Sequence, residues 1–109
     1  MKNGNCFISA YRLAVHVNGL LVHGVPVGRG PLNRGKRYAH AWVEKDGLVL
    51  DYANDRFIRL PVTVYYRKGH MTEDHVRRYT DRQAMETSEA HGHYGPWDEA
   101  LSAQEEVKQ

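Results

Sequence analysis

Residues 38–53 read Y-A-H-A-W-V-E-K-D-G-L-V-L-D-Y-A. Two runs rich in β-forming residues flank Asp46-Gly47, and an Asp-Gly pair in that setting is the strongest short-range signal for a β-hairpin, because both positions tolerate the positive φ of a type I′ turn. A two-residue loop sets Lys45 opposite Leu48, and by the same count Trp42 opposite Asp51 and His40 opposite Ala53. Side chains alternate along a strand, so His40, Trp42, Asp51 and Ala53 share one face, with Asp51 on the diagonal from His40 and small Ala53 leaving room for the imidazole. Asn54 turns to the other face. Asp55 returns to the His40 face, but it sits in A-N-D-R, where turn-forming residues end the strand. Asp51 is therefore the carboxylate expected to orient the ring, and Asp55 is the reserve.

Upstream, Asn5 followed by C-F-I-S-A-Y-R-L-A-V-H-V predicts a helix, which Asn5 can cap and Asn18-Gly19 can end. Phe7, Ala10, Tyr11, Ala14 and Val17 recur at steps of three and four, one apolar stripe for a sheet to cover. Cys6 falls in the first turn. There the helix N-terminus carries partial positive charge, and a helix N-terminus together with a neighbouring imidazole is what activates a cysteine as a nucleophile. His40 is the expected imidazole.

The rest of the chain frames this pair. Residues 20–27 predict an irregular or edge strand broken by Gly24 and Pro26. Residues 28–36, G-R-G-P-L-N-R-G-K, predict a flexible loop. Residues 60–67, L-P-V-T-V-Y-Y-R, read as a further strand. Thr72 caps an expected helix over 72–89, with Tyr79-Thr80-Asp81 as a second possible start, and the Y-G-P-W turn is expected to pin the C-terminal segment onto the sheet. The expected fold is α+β: an N-terminal nucleophile helix on a small antiparallel sheet, with one or two C-terminal helices. It forms a single domain over 1–98, followed by a polar tail over 99–109 expected to fray.

Composition narrows the classes. At 109 residues the chain has room for one hydrophobic core. With 41% hydrophobic and 26% charged residues it reads as an ordinary globular domain. No apolar run approaches the roughly 20 residues that span a bilayer, so no membrane partner is expected. M-K-N-G-N-C-F-I-S-A lacks the apolar core of a signal peptide, which predicts a cytoplasmic protein. A formal charge of +2 does not nominate nucleic acid. The single cysteine excludes an internal disulfide and a cysteine-rich zinc site.

The segments C-F-I-S-A-Y-R-L-A, V-H-G-V-P-V-G and Y-A-H-A-W-V-E-K-D-G-L-V-L-D together resemble the transglutaminase-like branch of the papain-like cysteine enzymes. They are most similar to the lasso-peptide leader peptidases. The resemblance covers residues 5–55. It implies Cys6 as nucleophile, His40 as general base and acid, and Asp51 as orienter. The papain-like pattern also implies an oxyanion-stabilising polar side chain upstream of the nucleophile, for which Asn3 and Asn5 are the residues in place, with the Cys6 backbone N–H beside them. Trp42 is expected as a wall of the site. The implied activity is that of a cysteine peptidase or amidohydrolase acting on a peptide or protein substrate, with no cofactor and no metal.

Arg29, Arg34, Lys36 and Arg37 crowd the glycine-rich loop, which is expected to lie over the cleft as a lid, with Arg34 and Lys36 gripping an acidic substrate. His16 and His23 are expected as hydrogen-bonded core or interface residues. His91 and His93 with His70 or His75 lack a recognised ligand spacing. Two other functions fit the same sequence: a catalytically silent domain of this fold that binds a protein, and a small basic nucleic-acid-binding module.

Overall fold

A computed structural model describes residues 5–53 and 56–107, without the side chains of Asn5 and Ala53. It is an α+β domain. Helix α1 (Asn5–Val17) leads into a five-stranded antiparallel sheet of β1 (Leu20–Gly24), β2 (His40–Lys45), β3 (Leu48–Ala53), β4 (Arg56–Pro61) and β5 (Val76–Tyr79), in the order β4-β3-β2-β1-β5. Helices α2 (Val62–Lys68), α3 (Asp81–His91) and α4 (Glu99–Ser102) complete it.

The N-terminal helix forms where its apolar stripe predicts. Phe7, Ala10 and Ala14 are buried with Leu21, Ala41, Val43, Ala84 and Trp97 on one face of the sheet. Full burial of a side chain such as Phe7 contributes about 1.5–3 kcal/mol. Asn18 ends the helix at φ 59, and the Gly19 N–H donates to the Ala14 carbonyl at 3.0 Å. The opposite face of the sheet carries Val22, Trp42, Val49 and Val76, covered by Tyr66 of α2 and by Met71.

Three expected elements are corrected. Residues 62–68 are helical, although Val62, Thr63, Val64, Tyr65 and Tyr66 favour strands; the strand before them is Arg56–Pro61. Burial decided this: Val62, Tyr65 and Tyr66 recur at helical spacing and pack together on the sheet, and tertiary packing overrides weak local propensity. Residues 20–27 are not an edge, since β1 lies between β2 and β5. The helix expected from Thr72 is only a short 3-10 turn, Glu73–His75, before V-R-R-Y pairs with β1 as the true edge; the second start signal is the one used, and Thr80 caps α3 through a capping box with Gln83.

Over its described length the polar tail packs onto the domain. Asp98 caps α4, Leu101 is buried, and the Glu105 and Glu106 carboxylates accept hydrogen bonds from the backbone N–H groups of Ala39 and Arg37. The Y-G-P-W turn places Trp97 in the core, its indole N–H donating to the His93 carbonyl at 2.9 Å.

Candidate active site

The hairpin keeps the expected register: Lys45 pairs with Leu48, Glu44 with Val49 and Val43 with Leu50, with Asp46 and Gly47 both at positive φ. Pairing between β2 and β3 covers only these residues. Beyond Val43 and Leu50, β2 continues beside β1 as far as His40, and β3 continues beside β4 as far as Ala53. The strands part where the two candidate residues stand.

At this opening His40 Nε2 lies 3.1 and 3.0 Å from Asp51 Oδ1 and Oδ2, and both residues are buried. A carboxylate only accepts, so Nε2 carries the proton it donates. Cys6, at the start of α1, is within hydrogen-bonding reach of the same ring. With Nε2 committed to Asp51, the nitrogen left for the thiol is Nδ1. The Cys6 thiol and the Asp51 carboxylate therefore bear on the same imidazole, although α1 packs on the sheet face opposite to His40 and Asp51.

The charges of the pair support each other. Burial alone would lower the His40 pKa, but the Asp51 carboxylate, its hydrogen bond and that of Cys6 hold it well above the ordinary imidazole value. Burial likewise pushes Asp51 up, and the His40 charge with the His40 and Tyr65 hydrogen bonds brings it below the usual carboxylate range. Tyr65 Oη donates to Asp51 Oδ2 at 2.6 Å. Burial and the adjoining Asp51 charge keep that phenol protonated, its pKa well above the ordinary value.

Tyr65 is the site residue that sequence reasoning missed. The residues around it read as a strand, and only its helical spacing with Val62 and Tyr66 could have indicated that it turns inward. Aromatic rings flank the imidazole: Tyr38 at 5.5 Å and Trp42 at 6.0 Å between centroids. Trp42 is a wall of the site and not an oxyanion donor, because its indole N–H donates to Glu44 Oε2 at 3.2 Å. Asn3, Asp55 and the side chain of Asn5 lie outside the described residues.

A cleft of about 280 Å³ adjoins the triad on the Asp51 side, where Tyr38 and Tyr65 form part of its wall. The glycine-rich loop borders it, but through Arg29, Gly30 and Asn33. Arg34 and Lys36, the expected substrate contacts, are exposed and stand outside the cleft lining. Nor is the loop a free lid. The Gly28 N–H donates to the Lys36 carbonyl, Gly30 N–H to Asn33 Oδ1, and the Arg37 guanidinium to the carbonyls of Val25 and His70. A Cβ on Gly28 would meet the Asn33 backbone carbonyl oxygen at 2.4 Å, so this close turn requires glycine.

Of the remaining histidines, His16 is exposed, and His23 is buried without the hydrogen bonds expected of it. Among the described residues, no group of three His, Cys, Asp or Glu side chains converges as a metal site would require, and no helix is long and apolar enough to cross a membrane. Comparison with family models, curated proteins and solved structures returned no match.

Proposed function

We propose that the protein is a cysteine-dependent acyl-transfer enzyme that hydrolyses a peptide or isopeptide bond. The observation that supports this reading is the placement of Cys6, at the N-terminus of α1, and of Asp51 on the same buried His40 imidazole. In the first step the Cys6 thiol gives its proton to His40, Sγ attacks the amide carbonyl carbon, the C–N bond breaks, and the His40 imidazolium gives that proton to the leaving amine. Water then attacks the thioester while His40 takes its proton; the C–S bond breaks, releasing a carboxylic acid and the cysteine. Asp51 holds the ring in orientation and stabilises its positive charge. The Cys6 backbone N–H, in the first turn of α1 where N–H groups have no partner within the helix, serves as the donor for the developing oxyanion. The reducing cytoplasm suits a protein whose single cysteine must stay free.

Alkylation of Cys6 by iodoacetamide tests the pair directly. The wild-type thiol should react rapidly near neutral pH, and His40→Ala should slow it by about ten- to thirtyfold, the ratio of a fully ionised thiolate to an ordinary cysteine of pKa about 8.5 at pH 7. Equal rates in the two proteins would overturn the reading and favour a silent binding domain of the same fold.

A further inference from the structure

We propose that the cleft beside Asp51 is a subsite for a carboxylate of the peptide substrate, held between Arg29 of the glycine-rich loop and Lys68 of α2; this rests on the acyl-transfer reading of the neighbouring triad. Both cations line the cleft. Neither takes part in an ion pair among the described residues. Asp51 is the single acidic side chain among the lining residues, and His40 and Tyr65 already occupy it. The cleft is therefore left with excess positive charge inside a concave wall, where opposite charge is attracted more strongly than on an open surface.

The rest of the lining suits the remainder of an acidic residue. Pro26, Val27, Ile58 and Leu60 offer apolar contact for a hydrocarbon stem. About 280 Å³ holds one or two amino-acid side chains and not a folded partner. The loop that carries Arg29 is braced by the bonds of Asn33 and Arg37, so the guanidinium is presented from a fixed backbone, which lowers the entropy lost on binding. The cleft meets the triad at Asp51 and at Tyr38, whose ring packs against His40. A carboxylate seated here would lie next to Tyr38 and Asp51, the two lining residues that contact His40.

Binding to the Cys6→Ala protein separates this subsite from catalysis, since no acyl transfer can follow. The probes are dye-labelled alanine-based hexapeptides bearing an internal Glu or its isostere Gln, each with a free or an amidated C-terminus, read by fluorescence anisotropy at low salt. One carboxylate should improve affinity about five- to tenfold over its neutral counterpart, and added salt should erode the gain. An advantage that follows internal Glu identifies a side-chain carboxylate, and one that follows the free terminus identifies a C-terminal one. Arg29→Gln with Lys68→Gln should abolish the preference, whereas Arg34→Gln with Lys36→Gln, outside the cleft, should keep it. The proposal is overturned if no acidic peptide is preferred, if the preference survives the Arg29 and Lys68 changes, or if the Arg34 and Lys36 changes abolish it, which would indicate a diffuse basic surface. Retained preference with His40-independent alkylation overturns the acyl-transfer reading instead, and lost preference with normal alkylation overturns the subsite alone.

Discussion

Two buried histidines meet opposite electrostatic fates, and each makes a prediction. His40 faces a carboxylate and is held in its charged form above the ordinary imidazole value. Its contribution to stability is complete below the unfolded-state value of about 6.5 and is lost as pH rises through the raised one. Asp51 behaves in reverse: its contribution is present above the normal carboxylate value and disappears as pH falls through the lowered one. In the proposed reaction His40 holds the proton for the leaving amine, so turnover should fall on the alkaline side as that proton is lost. Asp51→Asn should shift this limb to lower pH and reduce turnover by about 10²–10⁴-fold; an unmoved limb would show that Asp51 does not set the ring's charge. His23 is buried among Phe7, Tyr79 and Trp97 with neither ring nitrogen bonded, and desolvation lowers its pKa to about 4. Its folded-state value lies below the unfolded one, so stability is complete above about pH 6.5 and declines toward pH 4, by about 3 kcal/mol in the limit. Denaturant melts across that range should show the decline, and His23→Leu should flatten it whatever its baseline stability.

The hairpin and α2 show how elements position the site. Asp46-Gly47 sets the register, and the register sets which side chains share a face; both could be counted from the chain. The end of the pairing between β2 and β3 at Val43 and Leu50, while both strands run on beside their other neighbours, could not. β1 approaches the site closely at Gly24, where an added Cβ would lie 2.3 Å from the Trp42 ring. Trp42 is fully buried and packs against Tyr65 at 5.1 Å between centroids, so the indole has nowhere to retreat. Gly24→Ala should cost about 1–3 kcal/mol from overpacking. At about 4–8 °C per kcal/mol for a domain of this size, a thermal melt resolves that loss, and an unchanged melting temperature would refute the close approach.

Across the whole molecule, distant segments converge on the strand that carries His40. On the α2 face, Glu44 accepts hydrogen bonds from Trp42, Tyr66 and Arg78, and Arg78 also pairs with Glu73. This network links β2, α2, the 3-10 turn and β5, and it satisfies a carboxylate that would be costly to bury alone. From the C-terminus, Glu105 and Glu106 grip the backbone of Ala39 and Arg37 just before His40, and Leu101 anchors that segment in the interior. Leu101→Ala should therefore destabilise the domain by about 2–4 kcal/mol, as large-to-small changes in a packed core do, and should lower the thermal midpoint. Leu32→Ala, at 94% exposure, should leave it unchanged. Equal midpoints for both variants would mean that the tail is not anchored.

Local patterns were enough for the N-terminal helix, the hairpin register and the proximity of His40 and Asp51. An apolar stripe at helical spacing, a positive-φ turn pair and the two-residue period of a strand act over a few neighbouring positions, so they are legible without knowing what lies across the fold. The arrival of Cys6 at His40, the contribution of Tyr65, the choice of Arg29 and Lys68 over Arg34 and Lys36 at the cleft, and the docking of the tail depended on tertiary structure. Each brings together side chains far apart in the chain. There, burial and the pairing of buried polar groups outweigh local preference, turning a β-favouring stretch into helix α2 and a polar tail into an anchor for the strand that bears His40.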